Sequence, residues 1–289
     1  MTSRNLHELF DLSAHGTDVF VGQGLSYHWG GLYGGHIVAQ ALRAAAYTVD
    51  DGLLPHSLRA YFIRRGDNQE PVRYEVDRIR NGRSFATRRV VARQSVGAIL
   101  NLEASFHRSE EGADLQTVPM PPGVPLPDSL PPSSWSPFFD RRMVPPAALA
   151  DARCTGAGSV AATDAGRVAA IDAGRVAAWM RASHDLGSDP LLHCCALAYL
   201  SDDLPTEAVL QSWPEGRAYH ESTGQYPFNA SLDHTVWFHR PVKADAWHLH
   251  DMACHGFVGG RGLSLGHVFA ADGTHVATLA QEALLRLPR

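Results

Sequence analysis

One plan is written twice in this chain, and the repetition limits the possible folds more than any other feature. HIVAQALRAAA (36–46) contains no Pro, is rich in Ala and follows Gly34-Gly35, so it reads as a helix. Its small side chains admit close packing, which marks an enclosed helix. Segments 56–64, 72–80, 84–94 and 97–107 then change to a period of two. Val72, Tyr74 and Val76 alternate with Arg73, Glu75 and Asp77, and Asn81-Gly82 and Ser95–Gly97 supply turns. A second helix, PLLHCCALAYLSDD (190–203), precedes strand segments 228–240, 246–255, 262–271 and 274–286, with a turn at Asp272-Gly273. Set side by side, Tyr61-Phe62-Ile63-Arg64 meets Trp237-Phe238-His239-Arg240, and Glu103-Ala104 meets Glu282-Ala283. A duplicated helix-plus-meander unit is the economical account. The expected organisation is an N-terminal domain (1–108), a linker (109–160) and a C-terminal domain (161–289). The stretch VPMPPGVPLPDSLPPSSWSP makes the linker too Pro-rich for regular elements. DAGRVAA occurs at 164–170 and again at 172–178, a local repeat to which no function is attached.

The predicted class is α+β, with two tandem antiparallel sheets, each wrapped around a central helix and joined edge to edge so that fewer sheet edges stay open. This is a double hotdog. Among 289 residues, 45% are hydrophobic and 19% charged, enough apolar material for real cores. A net charge of -5 gives no sign of a nucleic-acid partner. No apolar run reaches the roughly 18 residues of a membrane span, and the N-terminus lacks a signal-peptide pattern. Cys154, Cys194, Cys195 and Cys254 do not form a disulfide framework, so a reducing, cytoplasmic location is expected.

Several stretches resemble the acyl-CoA thioesterase II family: GGHIVAQALRAA, HSLRAYFIRRGD, VRYEVDRIRNGRSFATRRVVARQ and ASLDHTVWFHRP. The resemblance spans roughly residues 20–108 and 180–286. It implies a double hotdog that cleaves fatty acyl-CoA to free acid and CoA, with no metal or redox cofactor. It also implies a catalytic set of Asp202, Ser231, where most members carry Thr, and Gln281. Asp203 follows Asp202 directly, so the sequence leaves open which carboxylate turns inward. His36 stands where the family often has Gln. Hotdog sheets commonly associate, so a homo-oligomer is expected.

The chemistry suits these group types. A carboxylate can take a proton from water, while a hydroxyl and an amide fix that water. Gly34, Gly35 and His36 at the head of the first helix are candidates for oxyanion and substrate binding. In the duplication Leu102 stands opposite Gln281, which fits one working site per chain. Arg64, Arg88 and Arg89 are candidate contacts for CoA phosphates, or else the solvated face of the first sheet.

Competing patterns are weaker. Gly262-Leu263-Ser264-Leu265-Gly266 matches the serine-hydrolase G-x-S-x-G elbow but lies within a strand pattern, where a strand-to-helix turn is required. His248, His250, Cys254 and His255 lack metal-ligand spacing. The alternatives in function are an enoyl-CoA hydratase or dehydratase, which would want an Asp/His pair, and a non-catalytic acyl-CoA binding protein.

Overall fold

A computed structural model describes residues 5–27, 29–150 and 174–288. In chain order the elements are α1 (Leu6–Phe10), β1 (Ser13–Ala14), β2 (Val19–Gly22), α2 (Gly34–Ala46), β3 (Leu53–Phe62), β4 (Val72–Asn81), β5 (Phe85–Gln94) and β6 (Gly97–Arg108). After them come β7 (Phe139–Met143), α3 (Pro146–Ala150), β8 (Arg175–Ala182), α4 (Pro190–Leu200), α5 (Pro205–Ser212) and α6 (Pro214–Thr223). The chain closes with β9 (Phe228–Ser231), β10 (Asp233–Phe238), β11 (His248–Val258), β12 (Arg261–Ala270) and β13 (His275–Arg286).

Among the described residues all the strands belong to one antiparallel sheet. Its order is β1-β2-β4-β5-β6-β3-β10-β13-β12-β11-β8-β7, with β9 pairing β13. The two halves meet at β3 and β10, where Leu58 pairs with Val236 and Arg59 with Thr235. Each half thereby covers the other's open edge.

The two long helices lie where the sequence reading expects them. Nearly every residue of α2 is buried, and so are Leu192–Leu200 of α4. A helix apolar on all sides has no face to offer water. α2 packs on β3, β4, β5 and β6 and against α4. Pro190 at the first turn and the Asp189 side chain, which accepts the Leu191 N–H, start α4. Pro205 then opens α5, a helix absent from the sequence reading, which packs across β8, β11, β12 and β13.

The Pro-rich segment does more than connect. β7, inside the expected linker 109–160, pairs with β8 and lengthens the C-terminal sheet. Leu130, Val144 and Leu149, with Val118, Met120 and Val124, cover the outer sheet residues Ala177, Trp179, Leu249 and Phe269. Trp179 Nε1–H donates to the Pro125 carbonyl at 2.8 Å. Of the DAGRVAA repeat, residues 164–170 and 172–173 lie outside the described residues; 175–178 open β8.

Arg88 corrects an expectation. It is 1% exposed, on the same face of β5 as Ala86, Val90 and Ala92. Nε donates to Thr48 Oγ1, Nη1 to the Arg80 and Thr87 carbonyls, and Nη2 to the Thr48 carbonyl and Asn81 Oδ1. All five guanidinium hydrogens are committed inside the fold, so Arg88 has none to offer a phosphate. It closes the C-terminal end of α2, where a cation also suits the helix dipole. Lysine keeps the charge but not the planar fork. Arg88→Lys is therefore expected to lower unfolding stability by about 2–3 kcal/mol, measured by urea denaturation, because buried acceptors lose their donors.

Candidate active site

The start of α2 meets the end of α4. Gly35 is required there by close approach, since a Cβ would sit 2.3 Å from the Tyr199 carbonyl and 2.6 Å from the Tyr33 ring. At Gly34 a Cβ would sit 2.5 Å from Asp202 Oδ2. The paired glycines thus bring the N-terminal end of one helix onto the carboxylate that follows the other.

Asp202, Ser231 and Gln281, separated widely in sequence, come together here. The Gly35 N–H donates to Asp202 Oδ2 at 2.8 Å, and the Ser231 hydroxyl donates to Asp202 Oδ1 at 3.2 Å. Gln281 Nε2 donates to Ser231 Oγ at 2.9 Å. Asp202 is 7% exposed. Burial pushes its carboxyl up to about 7, against the lowering effects of the Gln281 amide, the Gly35 N–H and the Ser231 hydroxyl; neighbouring Asp203 adds a smaller upward push.

A one-residue irregularity aims Ser231. Val236 pairs with Leu279 and Ser231 with Ala283, so the β9–β10 side advances five residues while β13 advances four. Strict alternation from the buried Val236 and His234 would turn Leu232 inward. The extra residue turns Ser231 inward instead, as bulges beside functional sites commonly do.

The open question between the two carboxylates has a structural answer. Asp203 turns away from the cluster, accepting a hydrogen bond from Trp135 Nε1 and a 2.8 Å ion pair from Arg141 Nη1. Both partners come from the Pro-rich segment, which thereby anchors the end of α4. Trp135 also joins an aromatic wall beside the cluster, 5.1 Å centroid to centroid from Tyr33, which lies 5.1 Å from Tyr199.

The other expected site residues divide. The Gly35 amide is committed to Asp202, so it orients the carboxylate and is not open to an oxyanion. Gly34 N–H makes no hydrogen bond among the described residues. His36 is fully buried; its Nε2–H donates to the Gln23 carbonyl at 3.1 Å and its Nδ1 accepts from Tyr27 at 3.1 Å. Burial holds it down at about 4, hence neutral, and both nitrogens are used away from Asp202. Arg89 pairs with Asp77 on the exposed sheet face, and Arg64 is exposed, bonded to the Ala98 carbonyl. His234 lies in the quoted motif but was not singled out from the sequence. It reaches both Gln281 and Ser201.

Competing patterns find structural explanations. Ser264 is buried in β12, near the Ala253 carbonyl, and the flanking glycines admit Val209 and Met252, each within 2.2 Å of an added Cβ. Among the described residues no group of three or more His, Cys, Asp or Glu has the placement to hold a metal ion. Two clefts, of about 300 Å³ beside Asp50 and Pro190 and about 570 Å³ beside His239 and His275, lie apart from Asp202 and contain none of its partners.

An antiparallel sheet packed around buried helices is the arrangement of the hotdog fold. A solved protein of hot dog fold from Alicyclobacillus acidocaldarius superposes with a TM-score of 0.73, at 20% identity, over 98% of both chains. Residues 25–107 match the family described as acyl-CoA thioesterase N-terminal domain, and residues 113–285 match acyl-CoA thioesterase C-terminal domain. Mouse acyl-coenzyme A thioesterase 8 is 35% identical over 89% of this chain and 80% of its own. The acyl-CoA thioesterase II TesB2 of Mycobacterium marinum is 34% identical, with a TM-score of 0.77 over 98% of this chain and 97% of that one. This chain belongs to the acyl-CoA thioesterase II family.

The raised carboxyl carries a stability consequence. Between about pH 4 and 7 folded Asp202 holds a proton that the unfolded chain has released, so stability falls as pH rises through that window. Above pH ~7 the full penalty is present. Asp202→Asn is therefore expected to raise stability at pH ~8 by on the order of 2–4 kcal/mol, with the difference vanishing below pH ~4; thermal unfolding at both ends of the range checks the sign.

Proposed function

We propose that the chain hydrolyses fatty acyl-CoA to free acid and CoA, with Asp202 as general base to a water positioned by Ser231 and Gln281. The observation that carries this is the contact of a carboxylate, a hydroxyl and a carboxamide inside a junction that excludes bulk solvent. Asp202 takes a proton from water as the oxygen attacks the thioester carbonyl. The developing oxyanion faces the start of α2, where the Gly34 N–H has no partner among the described residues. Collapse expels the thiolate of CoA, which takes from Asp202 the proton that the water gave up. Trp135, half-buried at the edge of the aromatic wall, offers the acyl chain an apolar surface. Arg64, exposed two residues beyond Phe62 and paired with no carboxylate among the described residues, supports the reading of a phosphate contact better than Arg88, which is buried, or Arg89, which pairs with Asp77. Phe62 itself packs against Gly34, its ring lying 3.0 Å from where a Cβ would stand.

The architecture is read as a double hotdog with one working site, each half supplying one side of the junction. Exposed Tyr61 and Trp237 on the outer face of β3 and β10 support association into a homo-oligomer. The described cysteines Cys194, Cys195 and Cys254 are free, which supports a cytoplasmic location. No helix among the described residues is long and apolar enough to cross a membrane. A hydratase is disfavoured because His234 faces Gln281 and Ser201, which leaves Asp202 without an Asp/His pairing.

Thiol release from acyl-CoAs of graded chain length is the test. The parent is expected to release CoA, with kcat/KM rising to a plateau above pH ~7 as Asp202 ionises. Asp202→Asn and Gln281→Ala are expected to lose at least about 10²-fold in kcat. Ser231→Thr, which keeps the hydroxyl, is expected to stay active while Ser231→Ala does not. No CoA release at any chain length would leave a binding protein. Unimpaired Asp202→Asn and Gln281→Ala would remove the site.

A further inference from the structure

We propose that His234 is a positioning residue whose Nδ1–H locks the Gln281 carboxamide in the one orientation that turns the Ser231 hydroxyl onto Asp202. The inference rests on the Asp202–Ser231–Gln281 reading above and extends it by one step.

The geometry is a chain of donors running one way. His234 is fully buried on β10, with Nδ1 2.5 Å from Gln281 Oε1 and Nε2 2.7 Å from Ser201 Oγ. A carboxamide oxygen has no hydrogen, so Nδ1 must carry the proton of this contact. Burial holds the imidazole down at about 4, so it is neutral and Nε2 is the acceptor. The single Ser201 hydrogen then points to Nε2, in preference to the Ala198 carbonyl at 3.0 Å. With Oε1 occupied, Gln281 presents its NH₂ to Ser231. The Ser231 oxygen is thereby an acceptor, and its own hydrogen is left for Asp202.

Remove the imidazole donor and the amide is free to rotate by half a turn. Gln281 would then present Oε1 to Ser231, which would donate to it and no longer to Asp202. The carboxylate would lose one hydrogen bond and the water two of its fixed neighbours. Ser201 is the residue just before Asp202, so α4 holds both ends of the chain: Asp202 as base and Ser201 as the group that sets the tautomer. The titratable groups around Asp202 are Asp203 at the end of α4, Tyr33 and Tyr199 in the aromatic wall, and His234 on β10.

The experiment compares His234→Phe, His234→Asn, Gln281→Ala and the double variant His234→Phe/Gln281→Ala in steady-state acyl-CoA hydrolysis across pH. Asparagine places an N–H close to the position of the imidazole Nδ1. His234→Phe is expected to lose on the order of 10²-fold in kcat with KM little changed, and to move the kinetic midpoint to higher pH. His234→Asn is expected to recover most of the loss, a rescue that a purely space-filling role would not produce. The double variant is expected to be no slower than Gln281→Ala, since the histidine acts only through that amide. An active His234→Phe beside an inactive Gln281→Ala would overturn this inference alone, as would equal losses in Phe and Asn or additive losses in the double variant. An active Gln281→Ala would instead overturn the underlying site. Should His234→Phe not fold, Ser201→Ala substitutes: it unlocks the tautomer, and a smaller kcat loss with the same upward pH shift is expected. An unchanged profile there would contradict the proposal.

Discussion

The structure depends on one abutment: the bare backbone at the start of α2 pressed against the end of α4, so that the Gly35 N–H meets Asp202. The contact requires two glycines, because a Cβ at either position would collide with Asp202 or with the Tyr199 carbonyl. It removes a carboxylate from water and returns only part of the lost solvation through the Gly35 N–H, the Ser231 hydroxyl and the nearby Gln281 amide. The result is a carboxyl poised near neutrality, where a general base is most effective. Around it the fold supplies fixed dipoles: Ser231 turned inward by a bulge, and Gln281 held between Ser231 and His234. The site is costly to stability by construction, as reactive sites commonly are.

The two halves present two comparable helix junctions, and only one of them gathers a hydroxyl and an amide around its carboxylate. The same pattern stands at both helix ends, Tyr47-Thr48-Val49-Asp50-Asp51 at the end of α2 and Tyr199-Leu200-Ser201-Asp202-Asp203 at the end of α4. At the first, Asp50 is exposed, and Arg88 closes the helix end through Thr48. The facing end of α4 begins with Asp189-Pro190, which offers a carboxylate and a proline where α2 offers two glycine amides. A cleft of about 300 Å³ lies there, without the hydroxyl and amide that surround Asp202. The Pro-rich segment adds to the asymmetry. Through Trp135 and Arg141 it fastens Asp203, so the neighbouring Asp202 is left facing the cluster.

Much of the fold was legible in the sequence, because hydrophobic period and element order survive duplication. The enclosed helices, the long strands and an edge-to-edge joining of two sheets follow from such patterns; that the joining strands are β3 and β10 came only from the structure. The three clustered residues were legible through family resemblance, not through local pattern: Ser231 alone is an unremarked strand residue. What the sequence hid depends on geometry of one residue or less. No signal marks the extra residue near Leu232. The commitment of the Gly35 amide to Asp202 cannot be told from an open oxyanion donor until the helices are placed. His36 was drawn to the site by its position at a helix start, yet its rotamer points to Tyr27 and Gln23. For Arg88 a signal did exist, since it shares strand parity with Ala86, Val90 and Ala92. The run of arginines around it obscured that parity.

The central claim is that the helix junction holds Asp202 as a buried carboxyl that ionises near neutrality. Carbon-13 NMR of the protein labelled at aspartate carboxyls, titrated with and without Asp202→Asn, measures it directly. The account predicts one carboxyl resonance with a midpoint near pH 7 that is missing from the variant. An Asp202 resonance titrating near pH 4, like a solvent-exposed aspartate, would contradict it.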